Sequence, residues 1–254
     1  MRTVRLLIAF EGTQYDGWQS QKTGRTLQEV FEKILYRVLA EKINLLSSSR
    51  TDSGVHAKGL VASFRTKSAL PDEKLKHALN FYLPKDVLVH SAKTADIKFH
   101  ARYSAKSKVY EYCIWNGLTR PLFEAPFVLW VPPKLDIARM KRAARHLKGR
   151  HDFRAFSAVG GSASGGKDSG DEVKDTVRCI KRISVTKEKQ LIRMRIEGDG
   201  FLTHMVRIIA GTLIDVGRKK ISPDSIPAIL KSKQRSKAGP TAKAMGLTLI
   251  KVKY

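Results

Sequence analysis

Cysteine is scarce in this 254-residue chain, with only Cys113 and Cys179 present. Two thiols so far apart form neither a metal-ligand spacing nor a disulfide framework, so a reducing, cytoplasmic setting is expected. Long apolar runs are missing as well. The run Leu6 to Phe10 is ended by Glu11, too short for a signal peptide and far below the ~18 residues of a spanning helix. No G-x-x-x-x-G-K-[ST] segment occurs, so nucleotide hydrolysis is not expected. The seven histidines are scattered, with no i,i+4 pair beside a carboxylate on a helix, so no catalytic metal is expected. Acidic residues are the last shortage, 23 against 48 Lys and Arg, a formal charge of +25. A hydrophobic fraction of 42% with 8% aromatics sits near globular averages and excludes wholesale disorder or a collagen-like chain.

A chain this basic favours polyanions, and nucleic acid is the usual partner. An acidic membrane surface fits less well, because no basic helix keeps a clean lipid-facing apolar stripe. The length suits one large domain or two small ones. Val4 to Phe10 reads as a buried strand. Thr26 with Glu29 three residues on is a capping-box signature, and Leu27, Val30, Phe31, Ile34, Leu35, Val38 and Leu39 follow as an amphipathic stripe. Leu45-Leu46 and Leu60 to Thr66 read as strands, Pro71 starts a second helix that stops before Pro84, and Val87 to His90 begins a fourth strand. That order is β-α-β-β-α-β.

The second half reads the same way. Lys108 to Trp115 and Phe127 to Val131 are strand-like, and a helix follows Asp136. Val177 to Val185 and Leu191 to Ile196 form a hairpin, Phe201 to Val216 a helix, another helix follows Ser222, and Leu247 to Val252 is a closing strand. The expected fold class is α/β (α+β), two ferredoxin-like halves sharing a mostly antiparallel central sheet, an order many RNA-binding domains use. The halves are residues 1–100, carrying the candidate catalytic Asp, and 101–254, with the break near 93–106. A Gly/Ser segment at 157–170 stands outside the pattern and reads as a flexible loop.

Chemistry concentrates in Ser48 to His56, where polar residues crowd a turn between apolar segments. Asp52, flanked by hydroxyls, can be a nucleophile or general base, and Arg50 can grip phosphate or a base edge. An Asx-turn, with Asp52 capping its own backbone, is the plainer reading of the same residues. The apolar helix after Phe201 carries Arg207, whose guanidinium cannot deprotonate and needs a partner. His204 on nearly the same face reads as a core or helix-surface histidine. Tyr110 and Tyr112 share a strand face after Arg102, Lys106 and Lys108, a pattern that suits base stacking or a half-buried core. Trp18 is a stacking platform or a core cover. Arg139, Lys141, Arg142, Arg145, Lys148, Arg150 and Arg154 form a basic stretch suited to phosphate contact.

These motifs, taken together and in order, resemble the tRNA pseudouridine synthase A family along nearly the whole chain. Arg50-Thr51-Asp52-Ser53-Gly54-Val55-His56-Ala57 is similar to its active-site motif. Gly12, Tyr15, Gly17-Trp18-Gln19 and Gln21 match its amino-terminal signature, and Phe99 to Ala105 with Tyr110 the next. Phe201, His204 to Arg207 and Gly211 match its buried helix, and Thr241-Ala242 with Gly246-Leu247 its closing region. The chain departs from the pattern at Phe10-Glu11, at Ser49 in place of glycine, and in the longer segment 157–170.

The resemblance implies two ferredoxin-like halves, a homodimer, no cofactor and no metal. Its implied reaction is isomerisation of uridine to pseudouridine in the anticodon stem-loop of tRNA, at nucleotide positions 38, 39 and 40. Asp52 would be the nucleophile, Tyr110 the ring stacked on the target uracil, and Arg207 the partner of Asp52. Arg50 would fill the place of the flipped nucleotide or hold its phosphate, with Arg102 and His56 also binding substrate. Two other readings share these residues. A non-catalytic RNA-binding or chaperone protein of the same fold would not need the Asp52, Tyr110 and Arg207 set, and an RNA N-glycosidase would release free base.

Overall fold

In the computed structural model, residues 1–158 and 175–254 are described, so most of the segment 157–170 lies outside them. The first elements are β1 (Arg2–Phe10), α1 (Leu27–Leu39), β2 (Leu46–Ser47), β3 (His56–Thr66), α2 (Asp72–Tyr82) and β4 (Val87–Ala95). There follow β5 (Ser107–Trp115), β6 (Leu129–Trp130), α3 (Ile137–His146), β7 (Gly149–Asp152), β8 (Val177–Glu188) and β9 (Leu191–Gly198). The chain ends with α4 (Met205–Gly217), α5 (Ile226–Ser232) and β10 (Leu247–Lys253). The fold is mixed α/β with mostly antiparallel strands. Two compact units form, Met1–Lys108 with Thr248–Tyr254, and Val109–Leu247.

In the first unit, β1 alternates from Val4 onward, with Val4, Leu6, Ile8 and Phe10 buried on one face. It pairs antiparallel with β3 on one side and β4 on the other, and β2 pairs antiparallel with β3. The resulting order 4-1-3-2 is the ferredoxin-like arrangement expected from β-α-β-β-α-β. β1 runs along β3 from Thr66 to Ala57, which leaves one free edge of β3. Two segments share that edge: β2 at Ala62 and Ser63, and β10, whose Thr248 and Leu249 lie parallel to His56 and Ala57. Leu27, Phe31, Leu35 and Leu39 of α1 and Leu75 and Leu79 of α2 are buried, one face of each helix.

The capping box expected at Thr26 does not form. Thr26 makes no side-chain cap, and its hydroxyl is buried without a hydrogen-bond partner among the described residues. Carbonyls do the capping instead: Leu27 N donates to Gly17 O at 3.1 Å and Gln28 N to Trp18 O at 2.9 Å. Glu29 accepts from Ser20 Oγ at 2.6 Å. The loop after β1 thus folds over the helix start and satisfies the first two of its unpaired N–H groups.

In the second unit the strands run β5-β9-β8-β7, with β6 parallel on β5. The expected hairpin is longer than the sequence indicates, closing at Glu188 opposite Leu191 through a two-residue turn with Lys189 at φ 53°. A short strand with three polar side chains, Gly149–Asp152, adds β7 against β8. Asp136 caps α3, accepting from Arg139 N at 3.0 Å. The helix expected from Phe201 starts later, at Met205. His204 stands at its N-cap with φ 59°, a left-handed geometry that no preceding helical turn can contain. From there α4 is buried almost all round, as its apolar sequence predicts.

Candidate active site

The turn carrying Asp52 is built by main chain on every side. Val55 N donates to Asp52 O at 3.2 Å, and Gly54 takes φ +75°, a value most side chains resist. Two strands of contact tie this turn to the loop after β1. Trp18 N donates to Thr51 O at 3.1 Å, and Gly54 N to Tyr15 O at 3.2 Å. Ser53 Oγ adds a third bond to Tyr15 O at 3.3 Å. At Gly12 a Cβ would stand 2.0 Å from Val55 O, so only glycine lets the two segments approach this closely.

Beneath the turn, His56 opens β3 with 2% exposure. Its Nδ1 accepts from Gly12 N at 3.0 Å, which leaves the proton of a neutral ring on Nε2. Tyr15, equally buried, donates its hydroxyl to Asp86 Oδ1 at 2.7 Å, and Arg25 lies over its ring at 4.8 Å. Burial, followed by the Asp86 hydrogen bond, pushes the Tyr15 phenol well above the usual tyrosine range. Trp18 is wholly buried between Phe10 and Phe31, which makes it core and not a stacking platform. Asp52 itself is half-buried and Arg50 is exposed beside it. The indole nitrogen of Trp18 and the hydroxyls of Thr26, Ser49 and Thr51 are buried without hydrogen-bond partners among the described residues. Such groups are few in native proteins, and here they gather along this one loop and its neighbouring helix start.

Arg102 belongs to the same unit. It is exposed, its guanidinium 5.6 Å from the Tyr103 ring centroid. Its turn is fixed from below by His100 Nδ1, which accepts from Arg102 N at 3.1 Å, and by Ser63 Oγ, which accepts from Ala101 N at 3.1 Å. Tyr254 donates to Ala101 O at 2.7 Å.

Tyr110 and Arg207 lie in the second unit. Tyr110 on β5 is 8% exposed, with Phe201 packed edge-on at 5.2 Å, so its ring plane is held. Tyr112, on the same face, is core: it is fully buried and donates to Lys243 O at 2.7 Å. Burial raises its phenol above the usual range. Arg207, in the first turn of α4, is half-buried and less enclosed than its apolar neighbours suggest. Its Nε donates to Ala242 O at 2.9 Å, and Ala242 N returns a bond to Arg207 O at 3.1 Å. Part of its demand for partners is thus met by a carbonyl. In the basic stretch, Arg142 pairs with Asp224 at 2.9 Å, while Lys141, Arg145, Lys148, Arg150 and Arg154 stay exposed.

A family model described as tRNA pseudouridine synthase matches residues 6–104 and 143–254. The chain belongs to the tRNA pseudouridine synthase family. Curated proteins named tRNA pseudouridine synthase A are similar over the full length. Those of Acetivibrio thermocellus and Ruminiclostridium cellulolyticum are 43% and 44% identical over 254 and 255 residues, covering 100% of both chains in each case. That of Thermoanaerobacter sp. strain X514 is 44% identical over 254 residues with the same coverage. Arg50, Asp52, His56, Arg102 and Arg207 all lie within the two segments matched by the synthase family, while Tyr110 falls between them. Asp86 was missed by sequence reasoning, for it sits in an ordinary Pro-Lys-Asp turn with no signal of its partner. No helix among the described residues is long and apolar enough to cross a membrane.

Proposed function

We propose that this synthase isomerises uridine to pseudouridine in the anticodon stem-loop of tRNA, at positions 38, 39 and 40, with Asp52 as the nucleophile. The observation that carries the reading is the Asp52 turn. The turn that bears this half-buried carboxylate is held by three main-chain hydrogen bonds and one from the Ser53 hydroxyl, within a chain of this family. Rigid support of that kind is what a reacting group needs and what a solvent-facing turn does not.

The target base leaves its stack at a cost of a few kcal/mol, and Tyr110, its plane set by Phe201, receives it by stacking worth ~1–3 kcal/mol. Asp52 then acts on the nucleoside, by attack on sugar or base or by taking a sugar proton. The N1–C1′ bond breaks, the base turns and C5 joins C1′. The proton lost from C5 is balanced by one gained at N1, so substrate and product have the same composition and no electron donor is consumed. Arg207 pairs with Asp52, Arg50 takes the place or the phosphate of the flipped nucleotide, and Arg102 and His56 serve substrate binding. His56 does so through the loop it supports. The enzyme works without a cofactor as a cytoplasmic homodimer, and sedimentation at micromolar concentration tests the dimer.

The deciding experiment incubates the protein and its Asp52→Asn variant with unmodified tRNA and maps pseudouridine by chemical derivatisation. The expected result is modification at positions 38–40 by the wild type and none by Asp52→Asn, with tRNA affinity retained. Unmodified RNA from the wild type, or abasic RNA, would overturn the reading.

A further inference from the structure

Arg235 is a half-buried guanidinium with no carboxylate partner among the described residues. Its Nη1 donates to Gly239 O at 2.9 Å and more weakly to Ala238 O at 3.4 Å, and its Nη2 to Thr241 Oγ1 at 3.1 Å. Burial disfavours the charged form and draws its pKa below the usual arginine value. An uncompensated buried cation is costly, and a neutral side chain could cap one carbonyl at less expense. Only a planar fork reaches acceptors on three residues at once.

The turn it holds leads directly to Arg207. Gly239 N donates to Thr212 Oγ1 at 2.9 Å, and that hydroxyl donates to Ile208 O at 2.8 Å. A Cβ at Gly211 would stand 1.8 Å from Pro240 O, and one at Gly239 2.6 Å from Thr212 Cα. The turn therefore lies directly on α4. Two residues on, Ala242 makes its reciprocal bonds with Arg207. One face of the 238–242 turn is seated on α4, and Arg235 grips the turn through Ala238, Gly239 and Thr241.

We infer that Arg235 is a positioning residue for the isomerisation, clamping the 238–242 turn so that the Ala242 carbonyl aims the Arg207 guanidinium. The inference rests on the proposed role of Arg207. It predicts that Arg235→Gln lowers kcat by up to about 10²-fold, the cost of a misplacement near 1 Å, with KM for tRNA within about twofold of wild type. Arg235→Lys, which keeps the charge but lacks the fork, should be impaired to a similar degree.

The test measures single-turnover kinetics and tRNA affinity for both variants, alone and combined with Arg207→Lys, together with melting temperatures. Non-additive losses, with Arg235→Gln adding little to Arg207→Lys, support the clamp. Full activity in Arg235→Gln at a temperature where it is folded overturns it and leaves Arg235 a structural strut. A rise in KM that Arg235→Lys rescues, with the salt slope of binding reduced by about 1, also overturns it and makes Arg235 a phosphate contact. Wild-type turnover in Arg207→Lys alone would instead refute the role of Arg207, an outcome separate from the behaviour of Arg235.

Discussion

Gly17 is the most demanding test of how the Asp52 turn is held. It adopts φ +90°, and a Cβ there would meet Thr51 O at 2.6 Å and Ser53 N at 3.2 Å. Gly17→Ala therefore carries two penalties. The left-handed backbone costs about 1–2 kcal/mol in any residue with a Cβ, and overlap with neighbouring main chain about 1–3 kcal/mol more. A total of ~2–5 kcal/mol lowers the melting temperature by roughly 4–20 °C at ~2–4 °C per kcal/mol. Relief of the overlap pushes Thr51, and Asp52 with it, away from Gly17. A shift near 1 Å costs about 10²-fold in kcat/KM. Gly149→Ala isolates the first penalty: Gly149 has φ +107°, but its nearest neighbour would be His151 Nε2 at 3.5 Å, an ordinary contact. That control should melt a few degrees lower and keep its activity. Calorimetry and single-turnover pseudouridine formation read both effects. If Gly17→Ala melts like Gly149→Ala and retains wild-type kcat/KM, the contact with Thr51 does not set the position of Asp52, and the reasoning fails.

Raising salt from 50 to 200 mM should weaken tRNA binding by about 10³–10⁵ if ~6–10 phosphates are neutralised, and a flat response in filter binding would argue against a basic binding surface. Arg207→Ala should melt lower and turn over little. On the proposed pairing, the double variant Arg207→Ala with Asp52→Asn should melt above Arg207→Ala alone, because the stranded charge would be gone; simple additivity would refute the pairing. The stability cost should fall below the ~3–5 kcal/mol of a fully buried pair, since both groups are only half-buried. Asp72 supplies a pH test. Burial would raise its carboxyl, but bonds from Thr94 N, the Thr94 hydroxyl and Arg2 outweigh this and hold it below the usual range. Its stabilisation is therefore present above the unfolded value of about 3.9 and is lost as pH falls through the lower folded value. Asp72→Asn should be less stable than wild type at neutral pH and converge with it near pH 2, and a melting gap that persists in acid would refute the linkage.

Local patterning made much of this molecule legible before any coordinates. The alternation of β1, the seven-residue stripe of α1 and the apolar α4 each follow from side chains within one or two turns of one another. So does the β-α-β-β-α-β order of the first unit. The motif around Asp52 was equally readable, since its residue types and spacing lie along a single loop.

What escaped is what depends on partners distant in sequence. Thr26 carries a capping signature, yet it makes no side-chain cap, and the first two helix N–H groups go to the Gly17 and Trp18 carbonyls. Trp18 reads equally as platform or core until Phe10 and Phe31 close on it. His56 serves Gly12 across 44 positions, and Arg235 looks like any other surface cation in Ser-Lys-Gln-Arg-Ser-Lys until its fork closes on the turn that follows. Likewise nothing in Leu247–Lys253 announces that its start will lie beside His56 and Ala57. Periodicity reports which face of an element is apolar, because burial is decided by neighbours along the same helix or strand. A hydrogen-bond acceptor or a strand edge carries no such repeat, and which donor reaches it is settled only when segments far apart in the chain pack together.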